Sequence, residues 1–413
     1  MDVLRCVQIF LDKRWDQKSP LLLGYSGGPD SRALLDALLQ LGVRPELAHV
    51  DHGWREKSAA QAKALQKEAE ELGLIFHTTR LEPDRREWAA RQKRLEFFAS
   101  LWKQGSFQAL LLGHQADDWA ETALKRTLEG AHLAFLGGMR AVSQLEGMVL
   151  WRPLLEVPRR DVLAYVEKRG LSVIQDLTNL DPSYLRARMR LEILPELASS
   201  FGKEISANLA LLGKRAGELK EYLDRKTDEA FLELKKGPFG WVLPCFLSEP
   251  IEICHLLQRL KIPFTRTILD SLVDALGKRL ANRRFGERFF ADRGYFFYLP
   301  ERMPQFGEPV ALREGVFFSG DWRIEVSSSI EKPSSWLDLL AGDFCLALPK
   351  GDYSLQMGAR KWKNPQKMPA FLRPFLPHVY FRGQWVSDLF SSQESEGYGV
   401  RFSVFSNSLG LVT

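Results

Sequence analysis

Three short segments of this chain carry side chains whose types and spacing could do chemistry. In "SGGPDS", residues 26–31, two adjacent glycines stand between two serines, with a proline and an aspartate before the second serine. Gly27 and Gly28 tolerate backbone conformations that turn successive N–H groups toward one centre. Pro29 suits the first turn of a helix. Asp30 and Ser31 then occupy a helix start whose partial positive charge favours an anion such as phosphate. Ser26 and Ser31 add hydroxyl donors. A glycine turn followed by a Ser/Asp-capped helix would use the same residues. Neither GxxxxGK[ST] nor GxGxxG occurs, which excludes a Walker loop with its lysine and removes the dinucleotide fingerprint.

The second segment, "HVDHGWR" (49–55), holds His49 and Asp51; without a further ligand at fixed spacing it reads as a polar strand end sooner than a metal site. The third is "GHQADDWAET" (113–122). His114, Asp117, Asp118 and Glu121 fall at i, i+3, i+4 and i+7, so one helical stripe carries a histidine and three carboxylates. Ala116, Trp119, Ala120, Ala123 and Leu124 offer the opposite face for burial. A solvated acidic face is the simplest explanation for an isolated helix. Beside an anion-binding loop, the stripe is better explained as a site for Mg²⁺, an ammonium group, or both.

The elements around these segments would place them together. Residues 21–25, 46–50, 74–78 and 109–113 read as short buried strands, alternating with helical patterns over 31–41, 56–72 and 86–104. Such alternation implies a parallel sheet covered on both faces, with ligands at the carboxyl ends of its strands. Each chemical segment follows a strand at that end. Further on, 203–236 is a long charged helical pattern, 249–280 suggests a helical pair, and 288–299 a hairpin turning at Asp292–Gly294. After about residue 305, Gly, Pro, aromatic and β-branched residues dominate. The expected architecture is an α/β, parallel-sheet nucleotide-binding domain (1–205), a mainly helical middle domain (206–305) and a small β-containing C-terminal domain (306–413).

Composition sets outer limits. The 413 residues are 45% apolar and 26% charged, ordinary for a globular chain, and 57 Lys+Arg against 52 Asp+Glu leaves +5. That surplus permits a polyanionic partner without demanding one. The four cysteines form no CxxC pair, which suits a reducing cytoplasm and argues against zinc fingers. No apolar run reaches the roughly 20 residues of a spanning helix, and no membrane association is expected.

The SGGPDS hexapeptide on a strand–helix turn resembles the PP-loop of the N-type ATP pyrophosphatases. Together with HVDHGWR and GHQADDWAET in this order, and with "WRPLLEVPRRDVLAYVEKRG" (151–170), "DLTNLDPSYLRARMRLEILPEL" (176–197) and "RKWKNPQKMPAFLRPFLPHVY" (360–380), it resembles the tRNA(Ile)-lysidine synthetase family. That resemblance implies ATP and Mg²⁺, with free L-lysine and the CAU-anticodon tRNA(Ile) as partners. ATP would adenylate O2 of the wobble cytosine, and the lysine ε-amine would displace AMP. It implies Ser26, Gly27, Gly28, Pro29, Asp30 and Ser31, with His49 and Asp51, around ATP. Asp30, His114 and Asp118 would be catalytic, Asp118 and Glu121 would meet lysine, and Asp30 and Asp117 are the metal candidates. A homodimer is one arrangement the sequence permits.

Arg186 and Arg190 share a helical face while Arg188 points elsewhere, and the resemblance places all three near nucleotide or RNA phosphates. The block 360–382 has six basic and no acidic residues, interleaved with aromatics. It suits RNA contacts through Lys361, Lys363 and Arg373, and equally a β-core with a basic rim. Two departures from the family pattern stand out: Ala187 follows Arg186 where an asparagine is usual, and "EGAHLAFLGG" (129–138) replaces an RGSG-type loop. Other readings were a thiolase-type PP-loop tRNA enzyme, disfavoured by the lack of a CxxC, and a silent RNA-binding protein, disfavoured by the intact motifs.

Overall fold

A computed structural model describes residues 2–51, 53, 58–82, 87–174, 181–244, 246–247, 249–328, 336–349, 351–357, 369–387 and 397–404. These residues form two compact units, Met1–Glu221 and Tyr222–Thr413.

The first unit is built on strands β1 (Leu21–Gly24), β2 (Glu46–Asp51), β3 (Phe76–Arg80), β4 (Ala109–Leu111), β5 (Val142–Leu145) and β6 (Met148–Trp151), in the sheet order β3-β2-β1-β4-β6-β5. All neighbours are parallel except the β5–β6 hairpin at one edge. Its helices are α1 (Val3–Arg14), α2 (Pro29–Gln40), α3 (Ser58–Glu71), α4 (Glu87–Gln104), α5 (Ala116–Leu128), α6 (Arg159–Lys168), α7 (Leu185–Arg188), α8 (Leu194–Phe201) and the first part of α9 (Ile205–Leu232).

Alternation along each strand divides the core between two faces. Leu21, Leu23 and Tyr25 join Ala109, Leu111 and Trp151 in a cluster with α1, α2 and α6. Leu22, Ala48, Leu110 and Leu150 face the other way, toward Phe98 and Leu101 of α4. Strands buried on both faces must be apolar throughout, which is why 21–23 and 109–111 read as unbroken leucine-rich runs. Burying each leucine stabilises by about 1.5–3 kcal/mol. The polar residues are therefore confined to the strand ends.

The strand order reverses at β1, with β2 to one side and β4 to the other. A crevice opens beyond the carboxyl ends of strands at such a switch point, because their connections leave to opposite faces. SGGPDS follows β1 there and GHQADD follows β4.

In the second unit, strands Lys235–Gly237, Gly240–Pro244, Tyr295–Tyr298, Phe289–Asp292 and Arg283–Phe285 form a five-stranded antiparallel sheet. Helices Pro250–Arg259 and Arg266–Gly277 share a core with it through Leu243, Leu257, Leu272 and Phe296. The 288–299 hairpin turns at Arg293 (φ +49°) and Gly294 (φ +91°), the doubly positive pair of a tight two-residue turn. Two four-stranded sheets complete the unit. Phe290 and Phe297 from the first sheet pack in one cluster with Trp322, Phe344, Leu355 and Val379, so the core runs across residue 305. The expected boundary at 205 falls where α9 begins, whereas the compact units divide within that helix. No helix among the described residues is long and apolar enough to cross a membrane.

Candidate active site

The first loop is a backbone cradle. Gly27 has φ +75°, and a Cβ there would meet Ile174 Cδ1 at 2.9 Å and Leu65 at 3.0 Å, so glycine is required twice over. The Ser26 and Ser31 hydroxyls lie 3.2 Å apart; Gly28 N–H donates to Ser26 Oγ at 3.3 Å, and Ser31 Oγ donates to Gly28 O at 3.1 Å. Gly28 caps α2 with Pro29 following, and no side chain accepts from the leading N–H groups. Those donors and the helix dipole are left for an anion. The exit of β4 touches the same turn: a Cβ on Gly113 would lie 3.0 Å from the Asp30 carbonyl carbon and 3.1 Å from Ser31 N.

His49 and Asp51 end β2, beside β1. His49 Nδ1–H donates to Tyr25 O at 2.8 Å and the ring stacks on Phe76, which leaves Nε2 as an acceptor. Burial holds its pKa below the ordinary value, so the ring is neutral. Asp51 is buried, accepts Gly53 N–H at 2.9 Å, and lies 3.7 Å from Arg80 Nε.

The carboxylates gather at the start of α5. Gln115 caps the helix, accepting Asp117 N–H at 2.6 Å, while Asp118 Oδ2 accepts Gln115 N–H at 3.1 Å, a reciprocal capping box. Asp118 Oδ1 takes Arg190 Nη2 at 3.0 Å, and Glu121 Oε1 takes Arg190 Nε at 2.7 Å. Arg190 reaches them from a single π-helical stretch, Met189–Ile193, inserted between α7 and α8. Such an insertion re-aims a side chain and is frequent at functional sites. Asp117 Oδ2 accepts Arg159 N–H at 2.8 Å, and Arg159 Nη1 lies 3.8 Å from Asp30 Oδ2.

Four carboxylates (Asp30, Asp117, Asp118 and Glu121) thus gather around the guanidinium groups of Arg159 and Arg190, with the Arg186 charge also acting on Glu121, so acidic groups outnumber basic ones. Two carboxylate oxygens, Asp30 Oδ1 and Glu121 Oε2, are buried without a hydrogen-bond partner. Burial, reinforced by the Asp118 charge, pushes the Asp30 pKa up to about 6, and burial raises that of Glu121, which is 1% exposed. A desolvated site with surplus negative charge and unpaired acceptors is suited to cations. Among the described residues no cage of three or more His, Cys, Asp or Glu forms. Mg²⁺ held by one carboxylate, Asp30, together with substrate phosphates fits that arrangement.

His114 opens the stripe, one residue after the Gly113 that abuts the loop. Arg152 is buried and donates from Nε to His114 Nδ1 at 3.2 Å; its Nη1 donates to Arg140 O at 2.8 Å and Ser143 Oγ at 2.9 Å. A guanidinium can only donate, so Nδ1 is the acceptor and the ring hydrogen is on Nε2. Burial and the positive charges of Arg152 and its neighbours push the His114 pKa down to about 3. The ring is therefore a neutral Nε2–H donor. His114→Ala is expected to lower the rate of the ATP-dependent step about 10²–10³-fold. The wild-type rate should show no inflection from this ring between pH 5 and 9, and one that vanished in the variant would refute the neutral-donor role.

Arg186 is half-buried and Arg188 exposed, so Arg186 and Arg190 share the inward face. Arg373 lies in the second unit, half-buried in a short turn, Arg373–Phe375. Lys361 and Lys363 lie outside the described residues. Sequence reasoning missed Arg152 and Arg159. Both sit in the quoted stretch 151–170, but only the fold brings them to His114 and to Asp30 and Asp117.

A PP-loop domain family model matches residues 3–197. The tRNA(Ile)-lysidine synthase of Protochlamydia amoebophila is 30% identical over 96% of this chain and 94% of its own. The chain belongs to the tRNA(Ile)-lysidine synthase family. A second member, from Chlamydia trachomatis, is 40% identical over 65% of this chain and 89% of its own. A solved tRNA thiolase from Methanococcus maripaludis has 18% identity, covers 52% of this chain and 78% of its own, and overlays with a TM-score of 0.43. As a lysidine synthase family member with a PP-loop, the chain is an ATP-using ligase. Its family match spans SGGPDS, HVDHGWR and GHQADDWAET, of which the first and third flank the switch point between β1 and β4.

Proposed function

We propose that the chain ligates L-lysine to carbon 2 of the wobble cytidine in the CAU-anticodon tRNA(Ile), through an adenylated tRNA. The observation that carries this reading is the Asp118–Glu121 carboxylate pair beside a phosphate cradle whose leading N–H groups no side chain caps. In the first step, cytosine O2 attacks the α-phosphorus of ATP and pyrophosphate leaves. Ser26–Ser31 and the α2 N-terminus hold the departing charge, with Arg159 alongside. The His114 Nε2–H donates to an oxygen of the reacting centre. Mg²⁺ at Asp30 would neutralise phosphate charge.

In the second step the lysine ε-ammonium gives a proton to solvent, its amine attacks C2, and the C2–O2 bond breaks so that AMP departs carrying O2 on its phosphate. Asp118 and Glu121 hold the α-ammonium of lysine, the cation their charge surplus lacks. Lysidine then pairs with A, shifting decoding from AUG to AUA. Arg186, Arg188, Lys361, Lys363 and Arg373 contact tRNA phosphates in this reading. His49 and Asp51 flank the nucleotide, and the middle (206–305) and C-terminal (306–413) regions grip the tRNA.

The test is incubation with Mg²⁺, ATP, radiolabelled lysine and a CAU-anticodon isoleucine tRNA transcript, with methionine tRNA as control. Label is expected in the isoleucine tRNA alone. Label in neither RNA, or in both equally, overturns the proposal.

A further inference from the structure

Behind His114 lies a second cleft that the lysine and ATP sites do not use. Its volume is about 280 Å³, and its walls include Arg126, Arg140, Lys220, Phe135, Gly138 and Gly217. Three of the lining residues are cationic and none is acidic; the nearby Glu221 carboxylate lies 3.9 Å from Arg140 Nη1. The Lys220 ammonium stands 5.5 Å from the Phe135 ring centroid. A Cβ on Gly217 would meet nothing within 4 Å, so the floor is open. Gly138 (φ +63°) packs against α5: a Cβ there would lie 2.5 Å from Thr122 Cγ2 and 3.0 Å from Arg126 Nε. Trp119 Nε1 donates to Gly137 O at 2.7 Å, anchoring the loop on α5.

The geometry points to a single-nucleotide subsite: the cations take a phosphate, and the Phe135 ring takes a base. The volume is near the lower end for small-ligand pockets and excludes a duplex. Unpaired RNA bases are read by stacking on aromatic rings, with cations along the backbone. The cleft is one guanidinium away from His114, because Arg152 donates to His114 Nδ1 with Nε and to Arg140 O and Ser143 Oγ on the cleft wall with Nη1. The nucleotide seated here is therefore a neighbour of the reacting cytidine in the anticodon loop. This inference rests on the tRNA reading above and adds the subsite that would splay out the flanking base. It also gives the 129–138 segment, which departs from the family's glycine-rich text, a job of its own.

The experiment uses the full chain and an anticodon stem-loop of tRNA(Ile) with 2-aminopurine on one side, then the other, of the target cytidine. Wild-type protein should quench one of the two labels, and Phe135→Leu should abolish that quench and weaken binding at least about fivefold. Lys220→Ala should flatten the slope of log affinity against log salt by about 0.7. Thermal melts control for folding, since Leu keeps the site apolar. An unquenched label at both positions, or unchanged affinity and slope in both variants, overturns the subsite. AMP binding lost in Lys220→Ala with RNA affinity intact assigns the cleft to free nucleotide, and also overturns it. Position-specific quench without lysine transfer supports the subsite and sinks the ligase reading alone.

Discussion

Glu121→Gln is expected to raise the lysine concentration needed for half-maximal ligation about 10- to 100-fold, while tRNA-dependent pyrophosphate release from ATP continues. The basis is the pairing at α5. Arg190 bridges Asp118 and Glu121, yet Glu121 Oε2 is buried and unpartnered. An incoming ammonium completes that acceptor, and a charge-assisted hydrogen bond to a desolvated carboxylate contributes about 1.5–3 kcal/mol. The amide keeps the shape and one acceptor but loses the charge. Asp118→Asn should behave in the same direction, because asparagine retains an oxygen for the Gln115 cap. Two assays separate the steps: pyrophosphate release without lysine, and label transfer across a lysine series. If pyrophosphate release collapses while the lysine dependence is unchanged, these carboxylates serve the nucleotide and the assignment to lysine is wrong.

Much of this site could be read from the chain because strand ends are where a doubly covered parallel sheet exposes polar groups. The apolar runs at 21–23 and 109–111 require their flanking polar residues to emerge at one edge, and the stripe His114–Asp117–Asp118–Glu121 requires only helical periodicity. Local patterns also carry the 288–299 hairpin, whose turn needs two positive φ angles. What was not legible is partner choice between distant segments. Nothing near Arg190 states that its guanidinium meets carboxylates about seventy positions earlier; sequence logic offered RNA phosphate, an equally anionic partner. Arg152 and His114 meet only because β4 and β6 are neighbours, an adjacency set by strand order and not by any local pattern. The π-helical turn at Met189–Ile193 is likewise a product of packing. Composition changes near residue 305, and it does not state that apolar residues on both sides of that position pack in one cluster.

Asp30→Asn should trade activity for stability. Its carboxyl is mostly buried, keeps Oδ1 without a partner, and faces Asp118, and these push its pKa from 3.8 up to about 6. A carboxyl whose folded pKa lies above its unfolded one binds its proton more tightly when folded. Stability is then fully present below about pH 4, declines as pH rises through about 6, and stays reduced above it. The difference corresponds to a penalty on the order of 2–3 kcal/mol at pH 7–8. The neutral amide removes that penalty, so the first thermal transition should rise by about 4–8 °C at pH 7.5 and by little at pH 4. In the proposed reaction the same charge serves the phosphate site, so kcat/KM for ATP should climb with pH through about 6 in the wild type. In Asp30→Asn that climb should flatten, with adenylation reduced at least about 100-fold. Equal melting temperatures at pH 7.5 would show that the carboxylate is not strained in the folded protein. Full adenylation by the variant would remove Asp30 from the chemistry. A protein that is more stable and inactive when this one charge is erased would instead mark Asp30 as a group held at a cost in folding free energy for what it does to phosphate.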